Sequence, residues 1–271
     1  MKAAVLGSPI GHSLSPVLHR AAYQALGLDG WSYQAIECDE TGLPALLAGC
    51  GPDWAGLSLT MPLKRTVLPM LDAVDPLTRD VGAANTVVFT GGHRYGYNTD
   101  VPGMITALIE AGMKGPAATV LILGGGATAC SALAAVRGLG GAAATAAVRD
   151  PSRAADLLAA ARRLGVEVTL TGFDQPAVTA PDLLISTVPA GAANIFAERI
   201  DHGDLVPRHL LDVVYHPWPT ALATAAERAG VVVAGGFPML LHQAAGQVTL
   251  MTGKQAPVEV MRAAGLAALG G

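Results

Sequence analysis

The stretch that decides the fold is residues 118–150, ATVLILGGGATACSALAAVRGLGGAAATAAVRD. Its first part, residues 118–123, is a continuous apolar run typical of a parallel strand that is buried on both faces. A glycine cluster follows, and then a helix is predicted over 128–139 and a second strand over 142–148. We therefore expect a strand, a loop, a helix and a strand in succession, as in dinucleotide-binding domains.

The glycine cluster itself matches a phosphate-binding pattern. Gly124-x-Gly126-x-x-Ala129 fits the fingerprint G-x-G-x-x-[G/A]. Glycines at these positions let the backbone approach a pyrophosphate, which binds at the positive end of the following helix. A plain structural turn is the alternative, since glycine-rich turns are common. The strand before the loop and the helix after it favour nucleotide binding.

The residues after the second strand bear on the choice between NAD and NADP. An acidic residue at this place holds the ribose 2′-hydroxyl of NAD, whereas arginine accommodates the 2′-phosphate of NADP. Here Arg149 ends the strand, Arg153 follows one helical turn later, and Asp150 lies between them. The two arginines favour NADP, although both could be ordinary solvated charges. Asp150 is the conflicting residue, unless it serves the N-terminus of the next helix.

Working outward from this unit, strands and helices alternate along most of the chain, which predicts an α/β fold. Before it, we expect strands at 2–6, 31–38 and 56–60, a hairpin of 86–89 with 94–97, and helices from Ser15, over 43–48 and from Pro62. Ser15 is the predicted N-cap of its helix. After it, we expect a helix over 151–164, strands near 167–170, 183–187, 210–214 and 231–234, and helices over 238–251 and 257–269.

Composition limits the possible classes of protein. The chain has 271 residues, of which 51% are hydrophobic and 14% are charged, so intrinsic disorder is excluded. A net charge of -4 offers no basic surplus for phosphates, so nucleic acid is not an expected partner. The three cysteines are odd in number and widely spaced, which fits neither a disulfide framework nor a zinc site and indicates a cytoplasmic protein.

Two long uncharged stretches raise the question of a membrane. Residues 115–136 and 229–253 are each long enough to span a bilayer. The first contains three consecutive glycines, and the second contains proline, histidine and glutamine, which are costly in hydrocarbon. The apolar run after Lys2 is too short for a signal peptide. We expect neither a spanning segment nor a membrane partner.

A set of polar residues in the N-terminal part follows predicted strands. Ser13 and Ser15 lie in a turn at a helix start, where they could donate hydrogen bonds to a carboxylate. Thr60 and Lys64 follow a strand, at the edge where open α/β sheets bind ligands. Each residue also has a simpler explanation: helix capping for the serines and for Asp100, solvation for Lys64, and a turn for Asn85.

The spacing of several motifs decides between these explanations, because together they match one family. The motifs are Gly7 to His19, Gly56-Leu57-Ser58-Leu59-Thr60-Met61-Pro62-Leu63-Lys64, Ala84-Asn85-Thr86, Asn98-Thr99-Asp100-x-x-Gly103, Asp212-x-x-Tyr215-x-Pro217-x-x-Thr220 and Gly236-x-x-Met239-Leu240-x-x-Gln243-Ala244-Ala245. In their order and intervals the chain closely resembles the shikimate dehydrogenases, over nearly its whole length.

The resemblance implies an activity and a set of roles. Members of this family reduce 3-dehydroshikimate to shikimate with NADPH, on the route to chorismate and the aromatic amino acids. It implies that Lys64 and Asp100 are the catalytic pair and also contact the substrate. The remaining implied substrate ligands are Ser13 and Ser15 for the carboxylate, with Thr60, Asn85, Tyr215 and Gln243 for the ring hydroxyls. The implied NADP site consists of Gly124, Gly125, Gly126, Ala127, Thr128, Ala129, Arg149, Arg153, Thr187, Val213 and Gly236.

The resemblance also implies two domains, a substrate-binding domain of 1–100 plus 238–271 and a Rossmann-type NADP-binding domain of 101–237. No metal is expected, because the seven histidines show no ligand spacing. A homodimer stays open. Which of Lys64 and Asp100 moves the proton also stays open.

Some positions depart from the family pattern. Ser58 stands where the family usually has asparagine, and Val148 replaces the asparagine that normally precedes Arg149. The glycine loop is also altered, with Thr128 and Cys130 at positions where alanine and arginine are common. Two alternatives to an NADP-dependent shikimate dehydrogenase therefore stay open. One is an NAD-preferring quinate/shikimate dehydrogenase, and the other is a non-catalytic dinucleotide sensor on the same fold.

Overall fold

The structure is a computed structural model that describes residues 1–174 and 178–270. Within it the chain forms two compact units. The first contains residues 1–99 and the chain from Leu241 onward, and the second contains Asp100–Leu240. Each unit has one six-stranded sheet. The predicted α/β fold is therefore confirmed.

The first unit has a mixed sheet. Its strands are β1 (Lys2–Gly7), β2 (Ser32–Glu37), β3 (Trp54–Leu59), β4 (Ala73–Val74), β5 (Thr86–Thr90) and β6 (His93–Tyr97), in the order β2-β1-β3-β5-β6-β4. β1 is parallel to β2 and β3, while β5 runs antiparallel to both β3 and β6. The pair Thr90 and His93 closes the predicted hairpin, which is confirmed.

Helices cover this sheet. They are α1 (Ser15–Ala25), α2 (Leu43–Ala48), α3 (Leu63–Thr66), α4 (Pro76–Val81) and α11 (Val258–Gly270), together with most of α10 (Gly236–Thr252); a 3-10 helix spans Leu68–Met70. The alternating strand residues Ala4, Leu6, Leu57 and Leu59 are buried against α2 and α3. Burial of such side chains, at about 25 cal/mol per Å² of apolar area, fixes which face of the sheet these helices cover.

The second unit has a fully parallel sheet. Its strands are β7 (Val120–Leu123), β8 (Ala143–Ala147), β9 (Glu167–Thr171), β10 (Leu183–Ser186), β11 (His209–Asp212) and β12 (Val232–Ala234). The order β12-β11-β10-β7-β8-β9 is the doubly wound order of dinucleotide-binding domains. The connecting helices are α5 (Asp100–Glu110), α6 (Ala127–Gly138), α7 (Ala155–Leu164), α8 (Asn194–Asp201) and α9 (Ala221–Arg228), with a 3-10 helix at Pro151–Arg153.

Two details of the helix starts differ from the sequence-based prediction. Ser15 was predicted to cap α1, but this is wrong: Ser15 is the first helical residue and Leu14 is the N-cap. Proline is tolerated throughout the first turn, because those N–H groups lack intrahelical acceptors, so Pro16 does not mark the first position. The continuous helix over 151–164 is also wrong, since Ala154 separates the 3-10 helix from α7.

The short elements β4, α4, α8 and α9 were not predicted. They have two to eight residues, and pattern methods need longer windows to detect a period. Over the residues that the structure describes, no helix has the length and apolar content needed to cross a bilayer.

Candidate functional site

In the first unit, the loops that carry the predicted substrate ligands meet at one edge of the sheet. One loop follows β1, a second follows β3, a third precedes β5 and a fourth follows β6. Because β5 runs antiparallel to β3, its first residue, Thr86, pairs with Ser58 near the end of β3. Thr86 pairs on its other side with Tyr97, the last residue of β6.

Backbone hydrogen bonds join these loops to one another. The N–H of Thr60 donates to Leu6 at 2.9 Å, and the N–H of Ser8 donates to Met61 at 3.0 Å. The carbonyl of Lys64 accepts from Ala84 at 2.8 Å, directly before Asn85. The loops therefore form one connected platform rather than separate flexible segments.

Gly7 permits the closest approach between two of these loops. A Cβ at this position would lie 2.9 Å from the Met61 carbonyl oxygen and would overlap the methyl group of Thr60. Backbone atoms cannot yield to such a contact without moving the loop. Any larger residue at Gly7 would therefore displace the segment that carries Thr60 and Lys64.

The serine loop is held in place by a carboxylate that the sequence analysis missed. Glu37, the last residue of β2, accepts from the Ser8 hydroxyl at 2.6 Å and from the N–H of Ile10 at 3.0 Å. The N–H of Ser13 donates to the Ile10 carbonyl at 3.0 Å. Ser13 stays half-buried at the loop surface, whereas Ser15 is buried.

The loop before β5 carries a buried amide cluster. The Asn85 carboxamide nitrogen donates to Gln243 Oε1 at 3.1 Å and to Thr99 Oγ1 at 2.9 Å. Its oxygen accepts from the N–H of Thr99 at 2.8 Å. Gln243 lies on α10, near the end of the chain. The fold thus brings together two predicted ligands of the ring hydroxyls that are 158 positions apart.

The predicted catalytic residues occupy the start of helices. Lys64 is the second residue of α3 and is half-buried. Asp100 is the first residue of α5, in the second unit, and its side chain is almost fully buried. A negative charge at this position is stabilised by the helix dipole.

In the second unit, the glycine loop lies between β7 and α6 as predicted. Gly124 has φ +111°, and a Cβ there would lie 2.6 Å from the hydroxyl of Thr187. The same hydroxyl donates to Leu123 at 2.7 Å, so the loops after β7 and β10 are tied together. A Cβ at Gly126 would meet nothing within 4 Å, and Ala129 is buried in the helix packing. The loop surface is therefore open beside the N-terminus of α6.

The segments that follow β11 and β12 also lie against each other. A Cβ on Gly236 would lie 2.6 Å from the carbonyl carbon of Val213. Next to Val213, the buried Asp212 accepts from the Thr220 hydroxyl at 2.6 Å and from the N–H of Val214 at 3.3 Å. Burial raises the pKa of the Asp212 carboxyl, and these hydrogen bonds oppose that rise. Tyr215 is half-buried in the same segment.

The residues after β8 settle one of the questions that the sequence left open. Asp150 accepts from the N–H of Ser152 at 3.0 Å and from its hydroxyl at 2.6 Å, so it caps the 3-10 helix. Arg149 is exposed beside it. Arg153 ends the 3-10 helix, and its side chain lies outside the described part of the structure.

Among residues 1–174 and 178–270, no cluster of histidine, cysteine, aspartate or glutamate could hold a metal ion.

Two family profiles match parts of the chain. The profile described as the shikimate dehydrogenase substrate binding domain matches residues 5–87, and that of the shikimate 5′-dehydrogenase C-terminal domain matches residues 236–264. A protein of Methanococcoides burtonii named shikimate dehydrogenase (NADP(+)) is 37% identical, over 96% of this chain and 95% of its own length.

Solved structures give the same result. The shikimate dehydrogenase of Mycobacterium tuberculosis is 42% identical with a TM-score of 0.87, over 98% of this chain and 99% of that one. The enzyme of Thermus thermophilus, solved in complex with NADP(H) and shikimate, is 32% identical with a TM-score of 0.86, over 99% and 100% of the two chains. On these sequence and structural similarities, the chain belongs to the shikimate dehydrogenase family.

Proposed function

We propose that this protein is an NADP-dependent dehydrogenase that interconverts shikimate and 3-dehydroshikimate. The observation that carries the proposal is the buried pairing of Asn85 with Gln243 at the loop edge of the first sheet. A small ligand with one carboxylate and three hydroxyls needs several polar groups in fixed positions, and the hydrogen bond from Asn85 fixes the Gln243 carboxamide through its oxygen. The named relatives, which are shikimate dehydrogenases, support the same substrate and cofactor.

In this proposal most of the substrate ligands lie in the first unit, and Tyr215 belongs to the second. Ser13 and Ser15 donate to the carboxylate, and the loop held by Glu37 sets their position. The ring hydroxyls are bound by Thr60, Asn85, Gln243 and Tyr215. Residues 1–100 with 238–271 then form the substrate-binding domain, which agrees with the profile matched to residues 5–87.

The cofactor site that we propose lies in the domain of residues 101–237. The residues present fit NADP: space is open beside Gly126, and the N–H groups of the first turn of α6 face it. Arg149 and Arg153 would hold the 2′-phosphate. Asp150 caps the 3-10 helix through Oδ1, which explains an acidic residue at this position without a contact to the ribose of NAD. The other proposed cofactor residues are Gly124, Gly125, Ala127, Thr128, Ala129, Thr187, Val213 and Gly236.

When bound, NADP⁺ accepts a hydride from the carbon that carries the reacting hydroxyl. The protein has to manage the proton of that hydroxyl. We propose that the Lys64 amine accepts a hydrogen bond from it and takes up the proton, with Asp100 as the second member of the proposed catalytic pair. In the reverse direction the ammonium group stabilises the developing alkoxide and returns the proton.

An activity matrix tests the proposed function. NADP⁺ and NAD⁺ are each assayed with shikimate and with quinate, by the absorbance of the reduced cofactor. We expect the highest kcat/KM with shikimate and NADP⁺. Faster turnover of quinate with NAD⁺ would contradict the proposal in favour of the quinate/shikimate type. Binding of NADP⁺ with no activity on either substrate would indicate a dinucleotide sensor.

Two further expectations concern context. We infer a cytoplasmic location, supported by the free thiols of Cys38, Cys50 and Cys130. A homodimer remains a proposal, which sedimentation of the purified protein would test.

A further inference from the structure

A chain of buried hydrogen bonds runs beneath the proposed substrate site, through residues with no assigned role. The Tyr33 phenol donates to Ser58 Oγ at 2.6 Å, and Ser58 donates to Gln247 Oε1 at 2.8 Å. Gln247 Nε2 donates to the Thr86 hydroxyl at 3.1 Å. All of these side chains are almost completely excluded from solvent.

The chain continues into the amide cluster. The Thr86 hydroxyl donates to Asn85 Oδ1 at 2.9 Å, and Asn85 Nδ2 donates to Gln243 Oε1 at 3.1 Å. The buried hydrogen-bond chain therefore comprises Tyr33, Ser58, Gln247, Thr86, Asn85 and Gln243. Every donor along it points in the same direction. Its last member, Gln243, takes part through its amide oxygen.

The other end of the chain reaches the serine loop. The Ser15 side chain lies near the Tyr33 phenol and partly offsets the rise that burial causes in the pKa of that phenol. The Tyr33 ring is stacked on His19, with ring centroids 3.9 Å apart, and His19 Nδ1 lies 2.9 Å from the Ser15 carbonyl oxygen. Tyr33 is thus fixed in orientation by its ring and connected to Ser15 through His19.

We propose that Tyr33, Ser58 and Gln247 are positioning residues for the substrate. They connect the serine that would bind the carboxylate with the amides that would bind the ring hydroxyls, and they hold both in place before substrate arrives. This inference rests on the proposed function of the same site. It assigns a role to Ser58, the position where this chain departs from the usual asparagine of its family.

The physical reason is the free-energy cost of a buried polar group that has lost its hydrogen-bond partner. When a buried hydroxyl or amide loses its hydrogen-bond partner, neighbouring polar side chains rotate to form a replacement hydrogen bond. If Tyr33 loses its hydroxyl, Ser58 loses the donor that fixes it and Ser15 loses a polar neighbour, so the side chains along the hydrogen-bond chain must be ordered when substrate binds. That ordering weakens substrate binding without altering the reacting groups, so KM rises more than kcat falls.

The experiment compares two tyrosine variants of the full chain. Tyr33→Phe removes the phenol of the chain but keeps the ring that stacks on His19. Tyr23→Phe is the matched control, because the Tyr23 hydroxyl is equally buried and has no hydrogen-bond partner in the described structure. Kinetics with shikimate and with NADP⁺, and the melting temperature, are measured for each.

We expect Tyr33→Phe to raise the KM for shikimate about three- to tenfold, as for the net loss of one hydrogen bond, with kcat and the KM for NADP⁺ little changed. Ser58→Ala should have a similar effect. The double variant should be no worse than the poorer single variant, because both break the same chain. Tyr23→Phe should leave the KM for shikimate unchanged.

The outcomes separate this inference from the function on which it rests. A wild-type protein with no activity on shikimate and NADP⁺ overturns both. An active wild type whose KM for shikimate is unchanged in Tyr33→Phe and Ser58→Ala overturns the inference alone, even where the melting temperature falls. Equal rises of KM in Tyr33→Phe and Tyr23→Phe also overturn it, since loss of packing then explains the effect.

Discussion

Acidification should destabilise the first unit through His19, and the size of the effect follows from its burial. The imidazole is completely buried, and this desolvation lowers its pKa from 6.5 to about 4, although the hydrogen bond to the Ser15 carbonyl opposes the shift. In the unfolded chain the same side chain takes up a proton near pH 6.5. Between these values the unfolded state binds more protons than the folded state, so the free energy of unfolding falls as the pH falls.

The expected loss is about 1.4 kcal/mol for each pH unit, and about 3 kcal/mol between pH 6.5 and pH 4. This is a large part of the 5–15 kcal/mol typical of a domain. Carboxylates with lowered pKa values, such as Asp39 and Asp53, also lose favourable interactions toward the acid end. The diagnostic quantity is therefore the difference between the wild type and a variant without the imidazole.

We propose His19→Gln, which keeps a donor for the Ser15 carbonyl but does not titrate. Urea unfolding is followed by tryptophan fluorescence in a Trp218→Phe background, because Trp31 and Trp54 then report on the first unit alone. The variant should lose markedly less stability than the wild type between pH 6.5 and pH 4. As a control, replacing the exposed His202 by asparagine should leave the pH dependence of the free energy of unfolding as in the wild type. Equal losses in wild type and His19→Gln would refute the reasoning.

Three predictions concern the proposed catalytic and binding residues. Lys64→Ala should lower kcat at saturating substrate by about 10²- to 10⁴-fold, the usual range for an acid–base group. Adding Asp100→Asn to this variant should lower kcat little further, because the two residues act as one unit. Near wild-type turnover of Lys64→Ala in steady-state assays would contradict the catalytic role. Ser13→Ala should raise the KM for shikimate more than it lowers kcat, and a fall in melting temperature alone would indicate a structural role. When Arg149 and Arg153 are both replaced by alanine, NADP⁺ binding, measured by titration, should weaken by about 1.5 to 3 kcal/mol for each lost contact. The affinity for NAD⁺ should be nearly unaffected. Equal losses of affinity for both cofactors would point to Asp150 as the ribose contact instead.

The sequence determined the glycine loop of the second unit and the strand and helix on either side of it, because that information is local. A buried parallel strand is a continuous apolar run, and the glycine loop needs residues without a Cβ next to each other in the chain. β7, Gly124 to Gly126 and α6 therefore occur where the pattern predicted them. Short elements such as β4 and α4 lack enough residues for a period and were missed.

The resemblance to a family also predicted the polar substrate ligands of the first unit. It did not predict the residues that hold those ligands in place by hydrogen bonds. Glu37 and Gln247 look like ordinary polar residues, and Ser58 is a single hydroxyl within an apolar strand. Only the folded sheet shows that Glu37 holds the serine loop and that Ser58 joins Tyr33 to Gln247.

The physical reason is the distance along the chain over which each interaction acts. Helix and strand periods and turn geometry arise from neighbours within a few positions, so a single sequence encodes them directly. The hydrogen bonds Ser58–Gln247 and Asn85–Gln243 join residues 189 and 158 positions apart. Their partners are chosen by the packing of α10 against the first sheet, and buried polar groups accept whichever partner that packing brings within reach.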